Sequence, residues 1–354
     1  MPARGPHIPV PAFEVLINGA PLPVEAAAHV VGVSVEADTE LPDMFELEIV
    51  SSEDLDDQFA WVDAEDLFAV GNAVEVKLGY AEQLTSLFKG EVTGLEPSFN
   101  ADRLPTLVVR GYDRRHRLTR GRQTRSFLKK KDSDIAAQIA REAGLTARVT
   151  DSRVTHDYVM QVNQTDYEFL HERAARIQYE VVVEDKTLNF RPVANDRGEA
   201  LTLEADAELS EFRPRLSAAG QFSDVAVRGW DPKNKKEIVG KAAAGDEVSK
   251  MGGSQTGAAL SKRAFGAATG RPRRPVLTQA EADQAAVARL NRAALELITG
   301  DAVCGGRADL WPGKVVKING VGKRFGGQYY ITAATHVYTP DGYSTSFSFR
   351  RNAL

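Results

Sequence analysis

Two hydrophobic periods alternate along this chain. Between residues 13 and 112 the apolar positions fall on every second residue, as in Phe13, Val15 and Ile17, then Val31, Val33 and Val35, then Phe45, Leu47 and Ile49. That alternation predicts half-buried strands with one wet face. Asn18-Gly19 after the first run fits a tight hairpin turn. Beyond Tyr112 the period lengthens. Ile135, Ala136, Ile139, Ala140 and Ala143 form one helical face, with Asp132 placed to cap it and Gly144 to stop it. Thr165 and Glu168 make a capping box for a second helix with Leu170, Ala174 and Ile177 on one side. Residues 179–183 and 187–190 then predict a hairpin through Glu184-Asp185-Lys186. Strand character resumes at 222–230. A further capping box, Thr278 and Glu281, opens a helix over 278–297, and a last β block covers 303–350. Residues 240–275 are rich in Gly, Ala, Ser and Lys/Arg without an apolar period, so they read as a long loop, mobile or ordered only against a partner.

The last β block rewrites an earlier stretch. Gly71-Asn72-Ala73-Val74-Glu75-Val76-Lys77-Leu78 matches Gly313-Lys314-Val315-Val316-Lys317-Ile318-Asn319-Gly320, a turn glycine followed by an alternating strand. Val92-Thr93 falls on Ile331-Thr332. From there the match runs without a gap, Phe99 on Tyr338, Asp102 on Asp341, Thr106 on Thr345 and Val108 on Phe347. One chain would then carry two versions of one β module, and a ring of n chains would present 2n modules. The organisation expected is a first β domain over 1–112, a small α+β insert over 113–215, and a second β domain over 216–354 holding the loop at 240–275 and the helix at 278–297.

Charge and composition narrow the chemistry. A formal net charge of −5 over 354 residues gives no electrostatic case for nucleic acid or an anionic membrane. The single cysteine, Cys304, rules out an internal disulfide and reads as a small buried hydrophobe. No stretch has the length of a membrane span, and the first residues lack a signal-like apolar core, so synthesis in the bacterial cytoplasm without a signal peptide is expected. The acidic segment 51–57 lacks the spacing of a calcium loop. Residues 113–131 are dense in Lys and Arg. Arg114, Arg115 and Arg117 are the candidates there for contact with an acidic neighbouring subunit, and a solvated connector or a DNA-binding surface are the other readings. The histidines, His7, His29, His116, His156, His171 and His336, make no ligand pair, and no nucleophile elbow or phosphate loop occurs. Asp166 and Glu168, two apart on a helix, diverge too far to act as a glycosidase pair. No catalytic residue, cofactor or metal is expected.

Certain motifs carry a resemblance. They are Val227-Arg228-Gly229-Trp230-Asp231-Pro232, Leu310-Trp311-Pro312-Gly313, Gln328-Tyr329-Tyr330-Ile331-Thr332 with His336, Gly342-Tyr343-Ser344-Thr345 and Phe349-Arg350-Arg351-Asn352. With Asn163-Gln164-Thr165-Asp166-Tyr167-Glu168-Phe169-Leu170 in the insert, they resemble the phage late control protein D family, the tail hubs of contractile phages. That family is similar to the hub portion of type VI secretion spike proteins and of extracellular contractile injection systems. The resemblance implies a mainly β protein with two tube-like β-barrels flanking the α+β insert, assembled as a homotrimeric hub. Its expected partners are its own copies, a separate spike protein, the tail-tube protein and baseplate subunits, in a phage tail or injection particle. It assigns structural roles to Gly229, Trp230, Pro232, Trp311, Pro312, Gly313, Tyr329, Tyr330, His336, Gly342, Tyr343, Arg350 and Arg351. The chain stops at Leu354 after the second module, so a needle-like spike is expected on another subunit. A peptidoglycan-binding or lytic protein is the alternative, with Tyr158, Tyr167, Phe169 and Tyr179 as the aromatics that would have to be exposed.

Overall fold

The Asn18-Gly19 turn forms as its composition demands. Both residues hold positive φ, 52° and 84°, and fold the two-residue strand Ala20–Pro21 back onto β1 (Pro11–Ile17). The computed structural model describes residues 10–51, 59–81, 83–199, 201–272 and 275–354. All of the acidic segment 51–57 except Ser51 lies outside them, as does His7. The chain is mainly β.

Besides β1, the first block comprises β2 (Val30–Asp38), β3 (Met44–Val50), β4 (Ala73–Tyr80), β5 (Gln83–Asn100) and β6 (Arg103–Tyr112). Phe45, Leu47, Ile49, Val76, Leu78 and Val109 fill its core, the alternating positions of the sequence. The insert holds β7 (Gln123–Lys131), α1 (Asp132–Glu142), β8 (Thr146–Val149), β9 (Thr155–Gln164), α2 (Asp166–Arg176), β10 (Tyr179–Glu184) and β11 (Thr187–Pro192). Its two small sheets, β9-β7 and β10-β11-β8, close over Ile135, Ile139, Phe169, Leu170, Leu188 and Phe190. The Thr165–Glu168 capping box opens α2, and Gly144, at φ 71°, ends the first helix. Asp132 does not cap. It is the first helical residue, and its buried carboxylate accepts from Arg173 Nε at 2.5 Å instead.

Besides the two-residue strand Thr269–Gly270, four elements follow the next two strands, β12 (Leu201–Glu204) and β13 (Leu209–Leu216). These are β14 (Asp224–Asp231), β15 (Lys236–Ala243), α3 (Gly257–Phe265) and α4 (Gln279–Ala294). The second block ends with β16 (Ile298–Gly305), β17 (Val315–Asn319), β18 (Gly327–Thr339) and β19 (Gly342–Arg351). Three expectations need correcting. The insert ends before β12 rather than at 215, because β12 pairs with β17 and β13 with β16. The strands between 222 and 243, β14 and β15, do not join the second block's sheet. They form a separate sheet with Thr269–Gly270, packed on α4 through Val225, Val227, Ile238, Ala282, Ala286 and Leu290. The supposed loop 240–275 contains α3, capped by Thr256, and a fully packed Met251. Its helix was hidden because the buried face is Gly257, Ala258 and Ser261, too small to register as an apolar period.

The repeat is present as topology. Numbered by order of appearance within each block, both blocks read 1-4-5-6-3-2 across the sheet, β1-β4-β5-β6-β3-β2 and β12-β17-β18-β19-β16-β13. They differ in that β1 is antiparallel to β4 whereas β12 is parallel to β17. The irregularities recur too. The ladder shifts at Val92/Gly94 and at Ile331/Ala333, and again at Val30/Gly32 and at Leu209/Glu211. The turn glycines make the same bonds. Gly71 N–H donates to the Val92 carbonyl (2.8 Å) and Gly313 N–H to the Ile331 carbonyl (2.9 Å). Val92 and Ile331 return bonds to the carbonyls of Asn72 and Lys314, both 2.9 Å. The gapless match fails on the return strand, however. β6 carries one extra residue between Arg103 and Thr106, opposite the Ser98–Asn100 stretch of β5, so Thr106 occupies the place of Ser344, and Val109 that of Phe347.

Both glycines hold positive φ, 98° and 84°, and no heavy atom lies closer than 3.9 Å to the place a β-carbon would take. A side chain there meets backbone strain and little else. Gly71→Ala and Gly313→Ala should each lower stability by about 1–2 kcal/mol in urea unfolding, with similar values at the two sites. A neutral result at one site and a large one at the other would contradict the equivalence of the two turns.

Candidate functional site

The two blocks meet where β2 lies along the second half of β18. Six residue pairs join them, from Ala333 opposite Asp38 to Tyr338 opposite Val33. β18 serves two neighbours on one side, β17 up to Tyr330 and β2 from Ala333 onward, and the bulge at Thr332 separates the two. The seam buries Val33, Val35, Ala37, Ala334 and His336. Both blocks thus share one thirteen-stranded sheet.

His336 is fully buried within the seam. Its Nε2–H donates to the Leu310 carbonyl (3.1 Å), which leaves Nδ1 to face the hydroxyls of Tyr343 (3.0 Å) and Thr345 (3.1 Å). Trp311 stacks over its ring at 5.8 Å. Burial pushes the His336 pKa down to about 4, so the ring is neutral and structural. Burial likewise raises the Tyr343 phenol. Trp311, His336 and Tyr343 are therefore one cluster, although they stand far apart in the motifs. A second pair is Tyr329 and Arg351, whose guanidinium lies 5.5 Å from the ring centre and donates to the Gly326 carbonyl (2.8 Å). Tyr330 reaches the insert, donating its hydroxyl to Glu180 (3.0 Å), which Arg191 also holds (2.8 Å). Arg350 pairs with Glu296 at 2.8 Å. Gly313 serves as a turn residue with Pro312 just before it, and Gly342 opens β19 after the turn at 340–341. Gly229, Trp230 and Pro232 lie apart on the β14 hairpin. A side chain at Gly229 would strike the Val276 carbonyl, and Trp230 is half exposed.

The basic run opens inward. Arg115 is fully buried and spans the end of the seam. Its Nε donates to Asp113 (2.6 Å), one Nη to the Asp38 carbonyl (3.0 Å) and the other to Asp43. Asp113 also accepts from the Asp43 backbone N–H (2.9 Å), and the surrounding carboxylates keep the buried guanidinium charged. Tyr167 on α2 closes the junction by donating to the Glu40 carbonyl. Beside it, Glu91 accepts from Arg114 Nε (3.2 Å), Arg117 Nε (3.0 Å) and His116 Nε2 (2.9 Å), and Arg114 also binds Asp185 (2.5 Å). Burial raises the Glu91 carboxyl, but the bonds from Arg117 and His116 outweigh it and hold it below its ordinary value. The expectation of a contact surface at Arg114 and Arg115 is thereby corrected, since both side chains are consumed inside the chain. Arg117 keeps 40% of its side chain exposed. Their partners Asp43, Glu91 and Asp113 escaped notice in the sequence, where only Asp113, immediately before the run, gave a local signal.

Asp166 accepts from Arg125 (2.6 Å) and Gln161 (2.9 Å), and Glu168 is taken up by its capping box. Of the insert aromatics, Tyr167 and Phe169 are buried and Tyr158 is exposed. Among the described residues, no group of three or more His, Cys, Asp or Glu is placed to hold a metal ion. Nor is any helix long and apolar enough to cross a membrane.

Two outcomes follow from this junction. Arg115→Met, which strands the buried Asp113 and the partly buried Asp43, should cost about 3–5 kcal/mol of unfolding free energy, while Arg117→Met should cost about 1 kcal/mol or less. Equal losses in urea titrations would contradict the burial argument. For His336 the unfolded chain takes up its proton first, so stability is complete above about pH 6.5 and drains as pH falls toward about 4. The total is about 3 kcal/mol. His336→Gln should remove that share of the pH dependence in calorimetry, and an unchanged profile would show that the ring takes up its proton as readily folded as unfolded.

The fold has known relatives. It resembles the 43 kDa tail protein of prophage MuSo2 from Shewanella oneidensis, with TM-score 0.71 and 15% identity over 96% of this chain and 98% of that one. It resembles the tail protein of Neisseria meningitidis MC58, with TM-score 0.68 and 14% identity over 97% of each chain. A third is the E. coli c3393 protein, a type VI secretion component described as structurally similar to the T4 tail proteins gp27 and gp5. There the TM-score is 0.63 and the identity 14%, over 96% of this chain and 77% of that one. No curated protein matches the sequence. The family model described as the Alg8 N-terminal domain matches residues 8–339. The chain therefore belongs to the Alg8 N-terminal domain family, and its fold is that of these phage tail proteins and the type VI secretion component.

Proposed function

We propose that this protein is a non-enzymatic structural hub of a contractile tail or injection particle, a homotrimer that adapts a threefold spike to a sixfold tail tube. The observation that carries it is the internal repeat. Two blocks with one strand order, two shared bulge positions and the same glycine-turn hydrogen bonds sit side by side in a single sheet. A chain built this way contributes two near-equivalent units to a ring, so three chains contribute six. The blocks are then the two tube-like barrels expected from the sequence. Its partners are its own copies, a separate spike subunit, the tube protein and the baseplate, reached after synthesis in the bacterial cytoplasm. The proposal is supported by fold likeness over nearly the whole chain to phage tail proteins and a type VI secretion component. Structural roles suit the motif residues, because Trp311, Tyr329, Tyr330, His336, Tyr343 and Arg351 are taken up by packing and internal hydrogen bonds.

Sedimentation equilibrium of the full chain, alone and mixed with its spike subunit, should give a species of three chains. A protein that stays monomeric at high concentration in both samples would overturn the hub assignment, and clearing of a peptidoglycan zymogram would favour the lytic alternative.

A further inference from the structure

The seam inside the chain has a second, unfilled version. On the second block, residues 333–338 of β18 carry β2. Through the shared bulge, the equivalent stretch of the first block is residues 94–99 of β5, and among the described residues only β6 pairs with it. The equivalent of β2 in the second block is β13, which among the described residues pairs only with β16. Each chain therefore offers one free edge of each kind. Exposure follows the same logic. Ala334, under the in-chain seam, is 1% exposed, whereas its counterpart Leu95 is 38% exposed, and Phe99, the counterpart of Tyr338, is 57% exposed.

We propose that β13 of one copy lies antiparallel along residues 94–99 of the next copy, in the register of the in-chain seam. Transferring the β2–β18 pairs through the two repeats places Gly94 opposite Ser217, Leu95 opposite Leu216 and Glu96 opposite Arg215. It then places Pro97 opposite Pro214, Ser98 opposite Arg213 and Phe99 opposite Phe212. The chemistry of those pairs is complementary, with leucine on leucine, phenylalanine on phenylalanine and a carboxylate on a guanidinium. Arg215 is exposed and makes no ion pair among the described residues, while Glu96 is held by Arg110 through one oxygen only (2.8 Å). Thr39 N–H bonds the Thr332 carbonyl (3.0 Å), which makes Ala333–Asp38 a wide pair and His336–Val35 a hydrogen-bonded one. The copied counterpart of that hydrogen-bonded pair is Pro97 opposite Pro214. Both prolines fall on one rung, so the ladder loses one rung rather than two. Copies joined head to tail this way close into a ring in which in-chain and between-chain seams alternate. The number three rests on the hub assignment, but the register does not.

Glu96 and Arg215 form a wide pair in this register, with Cα atoms about 4.5 Å apart, within disulfide reach. Full-length protein carrying Glu96→Cys and Arg215→Cys should, on mild oxidation with diamide, give covalent species up to three chains on a non-reducing gel. The out-of-register combination Glu96→Cys with Glu211→Cys should give none. Independently, Glu96→Arg should weaken assembly at least tenfold in sedimentation, and adding Arg215→Glu should restore it. Assembly without the 96–215 bond and without rescue would overturn this seam while leaving the hub intact. A chain that never assembles would overturn both.

Discussion

A strand edge is a row of backbone donors and acceptors that must be paired, covered or wetted, and this molecule is organised around where its edges go. β18 is thirteen residues long because it answers two strands in succession, β17 and then β2. The bulge at Thr332 lets it do so by re-aiming the chain between the two ladders. Without that handover the first block would end on an open β2 and the two halves would be separate bodies joined by loops.

The charged junction at 113–117 holds the seam's end in place. A buried guanidinium is tolerated only when it is paired, and each nitrogen of Arg115 finds an acceptor, on two carboxylates and one carbonyl. Those acceptors come from the end of β2, the turn after it and the exit of β6, so one side chain fixes three segments at the place where the insert departs. Tyr167 and Tyr330 extend the bracing into the insert from both blocks. The insert is thereby docked by hydrogen bonds with directions, where a purely apolar contact would allow sliding.

This distribution of polar groups suits a scaffold. The histidine, tyrosines and arginines that a sequence scan would nominate as chemistry are consumed by internal bonds, and the neutral His336 is packed under Trp311. Along β5 and β13, by contrast, strand edge left unpaired among the described residues, apolar side chain and charge remain exposed.

Much of this was legible in sequence. Period-two alternation marked the strands of both blocks, because one buried face imposes that spacing directly. Gly71 and Gly313 announced equivalent turns, because only a residue tolerant of positive φ fits there, and Thr165 with Glu168 announced α2 through a bond three residues long. Such signals are local, and local chemistry determines them. The rest was decided in three dimensions. A one-residue bulge in β6 broke the apparent gapless repeat. Helix α3 hid behind small residues buried by distant parts of the chain, Gly257 against Gln221 and Ala258 in the cluster with Val225 and Ala282. The basic run turned inward because Asp43 and Glu91, tens of residues away, were brought beside it. Strand order and charge pairing depend on neighbours far along the chain, and only the tertiary structure supplies them.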